Sequence, residues 1–182
     1  MKNTYPVVAV ARTDSPLGPL LLAASQRGLS GLWFEDQRHL PAWLANRTPA
    51  PASEHAVLHT TERQLHAYFA GERNDFDLPL DLDQGTDFQR AVWQALLTIP
   101  VRASLSYGAL ARQIGRPAAV RAVGAAVGRN PLGIIVPCHR VLGADGSLTG
   151  YAGGLWRKTA LLRLELGHPP TSPTGATLEL FS

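Results

Sequence analysis

The stretch IIVPCHRVLG, residues 134–143, holds the only cysteine of the chain, Cys138, followed directly by His139 and Arg140. A free cysteine most often serves as a small buried hydrophobe. Here an imidazole and a guanidinium stand beside it, and cationic neighbours of that kind lower a thiol pKa. Thiolate, not thiol, attacks carbon, and an unassisted cysteine is only a few per cent ionised at neutral pH. The chemistry on offer is nucleophilic attack by Cys138 with His139 as its base. Such a base needs a carboxylate to orient it. Glu165 is the one in the C-terminal half that falls on an expected helix with apolar residues, Leu164 and Leu166, on both sides. A glutamate so placed sits either on a polar edge or buried with a partner.

The elements around these residues follow from periodicity. Ile134, Ile135 and Val136 read as a fully buried strand that Pro137 stops, with Cys138 at its end. Thr86 caps an expected helix with Phe88, Val92 and Leu96 on one face, ended by Pro100. Ser106 caps a second, 106–115, where Leu110 and Ile114 bury and Gly115 terminates. Pro117 suits a first helical position, and residues 118–128 form a third helix of Ala, Val and Gly in which Arg121 is the single long side chain. Helix, glycine turn, helix is the layout of a helix-turn-helix. So many small residues let a backbone approach another surface closely, either a second helix or a nucleic-acid groove. Residues 154–167 predict a last helix closed by Gly167.

The first third predicts strands instead. Residues 5–12, 19–25 and 28–35 are short apolar or alternating runs separated by turn clusters, an antiparallel meander. A helix follows, with Val57, Thr61, Leu65 and Phe69 at helical spacing and Gly71 as its stop. The acidic, proline-broken segment 74–85 divides the chain into a small α/β N-terminal domain (1–83, a small antiparallel sheet plus helix) and a mainly α domain with a helix-turn-helix (84–168). A flexible tail, 169–182, is expected beyond them. Trp33, Trp43, Trp93 and Trp156 are assigned to packing.

Composition narrows the function classes. At 182 residues, 45% hydrophobic and 17% charged, the chain can bury a real core. No apolar run approaches the roughly 20 residues of a membrane span. One cysteine excludes an intramolecular disulfide and a cysteine-rich zinc site, which fits a cytoplasmic protein. The net charge of +3 hides an asymmetry: residues 1–85 carry seven Lys/Arg against ten Asp/Glu, and residues 86–182 carry ten against four. Between Asp87 and Asp145 there is no acidic residue, while seven arginines fall there. A one-signed stretch of that length points to an anionic partner, nucleic acid being the commonest.

RAVGAAVGRNPLGIIVPCHRVLGADGSLTGYAGG, residues 121–154, resembles the active-site segment of the O6-alkylguanine-DNA alkyltransferases (methylated-DNA–protein-cysteine methyltransferases), in particular the constitutive single-polypeptide bacterial type. The resemblance runs from about Thr86 to Gly167, with a weaker echo over residues 15–34. Pro-Cys-His-Arg-Val, Arg-Ala-Val-Gly, Asn-Pro and Tyr-Ala-Gly-Gly in that order carry it.

The resemblance implies a DNA-repair methyltransferase that acts once per molecule, moving a methyl or alkyl group from guanine O6, and also from thymine O4, onto Cys138. It makes His139 the base, acting through a water, Glu165 its orienting carboxylate and Asn130 the brace of the turn beside the cysteine. Arg121 becomes the finger that fills the gap left by a flipped nucleotide, and Tyr107 the residue that crowds the next phosphate and donates a proton toward the guanine. Arg129, Ala119 and Gly124 join the DNA interface. Tyr151, Ala152, Val141 and Gly133 form the substrate pocket, with the Ala152 N–H near the alkylated oxygen. The implied partner is double-stranded DNA containing O6-alkylguanine, bound by a monomer, with cooperative binding left open; no membrane, metal or cofactor is expected. Physical chemistry agrees with these roles, since an alkyl group at O6 lies inside the stack and a thiol reaches it only after base extrusion.

The pattern is not followed everywhere. Ala152 stands where some relatives carry serine, Gly133 where some carry proline, and Leu164 where histidine often precedes the glutamate. The residues alone leave three other functions open: a lesion-binding protein without transfer, a cysteine hydrolase using Cys138, His139 and Glu165, and a helix-turn-helix repressor. The intact Pro-Cys-His-Arg, the acid-free basic stretch and the lack of polar base-reading side chains weigh against these in turn.

Overall fold

Val7–Thr13 (β1), Leu20–Ser25 (β2) and Gly28–Phe34 (β3) pair antiparallel in the order β1-β2-β3. This is the expected meander, in a computed structural model that describes residues 7–170. The first two residues of the expected opening strand, and the expected tail from 171 onward, lie outside the described residues. Strands β2 and β3 are buried on both faces, so they read as continuous apolar runs and not as alternations. One face packs Leu20, Leu22, Leu32 and Phe34 into the main core. The other covers Leu21, Ala23 and Trp33 with Leu44 and Trp43, the two indoles meeting edge-on at 6.0 Å.

The helix Ala56–Phe69 (α1) lies on this sheet. Its buried stripe runs through Leu58, Thr61, Leu65 and Tyr68, and Val57 is only half-buried. The segment 74–85, expected as a boundary, runs along β3 as an extra lane: Leu29 N–H donates to Pro79 O at 2.8 Å and Asp81 N–H donates to Leu29 O at 2.8 Å. Ser25 donates to the buried Asp81 carboxylate at 2.5 Å.

The C-terminal part opens with Asp87–Leu96 (α2), where Thr86 and Gln89 form a reciprocal capping box. Leu105–Ser106 (β4) leads into Tyr107–Gln113 (α3), capped by the Ser106 hydroxyl. Gly115, at φ +69°, ends that turn. The next helix, Val120–Gly128 (α4), starts two residues later than expected, with Ala119 as its cap and Pro117 in the connecting turn. The close approach its small residues permit is used on one face: Val123, Ala126 and Val127 are buried, and the Trp93 indole donates to Ala126 O at 2.9 Å. Its other face carries Arg121, Ala122 and Ala125, all exposed.

Ile134–Val136 is buried as expected but is a turn, not a strand. Ile134 has φ +70°, a strained setting for a β-branched residue that persists only where the surroundings over-determine it. Here they do. Leu32 N–H donates to Pro131 O at 2.8 Å and Gly133 N–H donates back to Leu32 O at 3.0 Å, so β3 grips the turn. Beyond it, Val141–Leu142 (β5) pairs in parallel with β4, which brings the start of α3 beside the cysteine segment. The last helix, Leu155–Glu165 (α5), is closed by Gly167 at φ +90°.

One hydrophobic cluster contains residues of both parts of the chain. Arg157 on α5 stitches them together. Its buried guanidinium lies 4.2 Å from the Phe34 ring centre and 4.6 Å from that of Trp156. It donates to Leu17 O, Gly153 O and both oxygens of Asp36. Among the described residues no helix is long and apolar enough to cross a membrane.

Candidate active site

Cys138 begins a single 3-10 turn, Cys138–Arg140. Asn130, just past α4, braces the chain before it: Asn130 Nδ2 donates to Val136 O at 2.8 Å and Leu132 N–H donates to Asn130 Oδ1 at 3.0 Å. A buried asparagine that satisfies backbone groups on both sides of a turn fixes it far better than apolar packing alone. Cys138 is 7% exposed, and what exposure it has faces a narrow cleft lined by Gln37, Val127, Gly128, Asn130, Gly133, Gly150, Tyr151, Ala152 and Gly153. A second hollow shares Gly128, Gly150, Tyr151 and Ala152 and extends to Tyr107, Gly124, Arg38 and His39. The two together run from the sulfur toward α3 and α4.

His139 and Glu165 are both fully enclosed, with His139 Nε2 2.7 Å from Glu165 Oε1. Burial alone would raise the Glu165 pKa, but hydrogen bonds and charge from His139 and Arg140 outweigh it and hold the group at about 2. An ionised carboxylate only accepts hydrogen bonds, so Nε2 carries the ring hydrogen and Nδ1 of the neutral ring keeps its lone pair. That Nδ1 is buried and has no hydrogen-bond partner in the protein. It is the free basic atom nearest the thiol in sequence.

The electrostatics correct one expectation. Cationic neighbours were to lower the Cys138 pKa; instead burial pushes the thiol up, with smaller downward pulls from Asn130 and Lys158. Burial likewise lowers the His139 pKa, against the pull of Glu165. The resting pair is therefore a neutral thiol beside a neutral imidazole. Arg140 does not serve the sulfur because its guanidinium is spent elsewhere, on both oxygens of Glu165 (2.8–3.2 Å) and on Ile99 O at 2.5 Å.

The other expected residues divide. Tyr151 is buried as a cleft wall, with Ala152 and Gly133 beside it. Val141 is not in the cleft: its side chain is buried in the core on β5, and only its carbonyl takes part locally, accepting from Lys158. Tyr107 opens α3 and donates its hydroxyl to Thr149 O at 3.1 Å, half-buried enough that burial raises its pKa. Gly124 faces the Tyr107 ring, where an added Cβ would lie at an ordinary 3.8 Å. Arg121 and Arg129 project into solvent, and Ala119 caps α4 apart from the cleft.

Three supporting residues escaped the sequence reading. Lys158 is fully buried, donates to Val141 O and Thr149 O at 2.5 and 2.8 Å, and is lowered to about 8 by burial; it ties β5 to the loop that carries Tyr151. Arg38 reaches from the N-terminal part to Tyr151 O (3.3 Å) and Ala152 O (3.1 Å). Tyr68 donates to Glu165 Oε1 at 3.2 Å across 97 positions of sequence. None of the three is marked locally: Lys158 directly follows Arg157 on a helix that also carries Arg163 and Glu165.

Two family models match the chain: the DNA binding domain of 6-O-methylguanine DNA methyltransferase over residues 87–167, and its ribonuclease-like domain over residues 8–82. A methylated-DNA–protein-cysteine methyltransferase of Mycobacterium bovis is 52% identical over 161 residues, 88% of this chain and 94% of the relative. One from Methanosarcina barkeri is 47% identical over 84% of this chain and 93% of its own length. Among solved structures, that of Mycobacterium tuberculosis OGT in complex with DNA superposes with a TM-score of 0.79 at 51% identity, covering 90% of this chain and 96% of the other.

Proposed function

The chain belongs to the 6-O-methylguanine DNA methyltransferase family, and from that premise we propose how its own residues carry out the reaction. The protein is a methyltransferase that repairs alkylated DNA by direct reversal. In our reading Cys138 is the acceptor. The observation that carries it is the enclosed pair His139–Glu165, with Nε2 on the carboxylate and Nδ1 left without a protein partner beside a thiol that opens only to the cleft.

The thiol proton passes to His139 Nδ1 through a bridging water, and the imidazolium so formed is stabilised by Glu165. Sulfur attacks the alkyl carbon, the carbon–O6 bond breaks, and its electron pair leaves with the guanine. The guanine ring then takes a proton from the Tyr107 hydroxyl at the cleft mouth, and the phenolate is reprotonated from solvent as the imidazolium of His139 gives up the thiol proton. The new bond is a thioether, which thiol exchange cannot reverse. Because Cys138 is the only cysteine, the protein acts once.

DNA engagement is assigned to the turn between α3 and α4 and the exposed face of α4, as a helix-turn-helix on double-stranded DNA. Extruding the alkylated base costs a few kcal/mol, offset by an inserted side chain and phosphate contacts. Arg121 is placed to insert, and Arg129, Gly124 and Ala119 to border the groove. Residues 1–83 act as a scaffold and 84–168 as the reacting domain, in a cytoplasmic monomer. Thymine O4 adducts are a second substrate of the same pocket.

The test is intact mass and peptide mapping after mixing with a duplex bearing one O6-methylguanine. One methyl on Cys138 in one-to-one yield is expected. Tight binding without a mass change would make the protein a lesion sensor instead.

A further inference from the structure

Glu165 has a partner that the transfer chemistry above does not use. Its Oε1 receives the Tyr68 hydroxyl at 3.2 Å, His139 Nε2 at 2.7 Å and Arg140 Nη2 at 2.8 Å; Arg140 Nε reaches Oε2 at 3.0 Å. We infer that Tyr68 is a positioning residue for the transfer reaction: by donating to the oxygen that holds His139, it sets how strongly that carboxylate draws on the imidazole. The inference rests on Cys138 being the alkyl acceptor and His139 its base.

A carboxylate oxygen offers about two lone-pair sites, and Oε1 meets four donors from three side chains, Arg140 Nε also lying 3.2 Å from it, so they compete. Withdrawing one leaves more of its charge for the others. Tyr68 is 1% exposed, so no solvent molecule takes over its share. Its ring is held independently of the hydroxyl, packed at 5.5 Å on Phe69 and 5.3 Å on Phe76. Removing the oxygen alone therefore leaves the packing in place.

The other charged or titratable groups facing this cluster are Arg140 and Cys138 on the 3-10 turn, Lys158 on α5 and Tyr151 on the cleft wall. Arg102 donates to the backbone oxygen of Glu165. None of them is hydrogen-bonded to the Tyr68 hydroxyl, which donates to Glu165. Burial keeps the phenol protonated, its pKa well above the ordinary value, so it is a donor throughout the working range. The N-terminal part of the chain thus reaches the reacting pair through one hydrogen bond.

The experiment is the pH profile of single-turnover methyl transfer from duplex DNA by the full chain, comparing wild type with Tyr68→Phe. With one donor gone, the carboxylate favours the imidazolium more, and the acidic limb moves to higher pH. On that limb transfer is expected to slow roughly three- to tenfold, with the plateau kept within about twofold. A 3,5-difluorotyrosine at position 68, a stronger donor of nearly the same shape, moves the limb the other way and serves also if Tyr68→Phe folds poorly. An equal slowing at every pH, or no change in either variant, overturns the inference. Absence of transfer by the wild type would instead overturn the assignment of Cys138.

Discussion

Nε2 of His139 lies 2.7 Å from Oε1 of Glu165, and neither side chain reaches solvent. Among the described residues the carboxylate is the sole acidic partner of both His139 and Arg140, which binds both its oxygens. Substitution there has two separable consequences. Glu165→Ala leaves the Arg140 guanidinium buried without a counter-charge, a loss of about 3–5 kcal/mol. Glu165→Gln keeps the shape and loses less stability, yet removes the charge that stabilises the imidazolium, and transfer slows by about two orders of magnitude or more. Chemical denaturation of both variants, with single-turnover transfer by Glu165→Gln, checks the two effects.

Stability should fall in acid for a reason traceable to the same pair. Glu165 titrates at about 2 against an ordinary 4.5, so the folded state binds its proton more weakly. The stabilisation, on the order of 3 kcal/mol, is complete above about 4.5 and lost as the pH drops toward 2. His139 acts in the same direction, because its pKa is lowered below 6.5 and the unfolded ring protonates first. Denaturant midpoints measured from neutral pH downward are expected to fall first below about 6.5 and more steeply below about 4.5. Glu165→Gln makes the second fall shallower, Asp36 still contributing through its pairing with Arg157, and keeps the first.

The resting thiol should be sluggish toward small reagents. Burial raises the Cys138 pKa above 9.0, and the sulfur opens only to the cleft. Each unit of upward shift removes about tenfold of the thiolate at neutral pH. Iodoacetamide labelling, followed by mass, is expected to run at least about tenfold slower at neutral pH than for an ordinary exposed cysteine and to keep rising with pH where a free thiol levels off. Labelling at the rate of a free thiol would show that the pair is ionised at rest.

What the sequence made legible is local. Thr86, Ser106, Gly115 and Gly167 mark helix ends through contacts a few residues long, and the apolar runs of β2 and β3 need no distant partner to be recognised. Ile134–Val136 was misread because a buried turn and a buried strand share one apolar pattern. The left-handed Ile134 is imposed by Leu32 and Asn130, not by its own propensity. The charge reading at Cys138 failed for a related reason. Proximity in sequence put Arg140 beside the thiol, but the fold turns its guanidinium toward Glu165 and Ile99. Tyr68 carries no mark at all in its own helix, since its partner lies 97 positions away.

A substitution of Arg121 tests base extrusion apart from chemistry. Arg121 projects from the exposed face of α4, while the Cys138 sulfur opens into the cleft. Replacing an exposed side chain that makes no buried contact changes stability by less than about 0.5 kcal/mol. The duplex substrate must lose stacking and pairing of the alkylated base, a few kcal/mol that an inserted side chain offsets. Arg121→Ala is therefore expected to slow transfer from duplex DNA by roughly tenfold to a hundredfold. With the free base O6-benzylguanine there is no stack to open, and the same variant should react within about twofold of wild type. If both substrates slow equally, Arg121 supports the pocket rather than the gap in the duplex. If neither slows, another residue fills that gap.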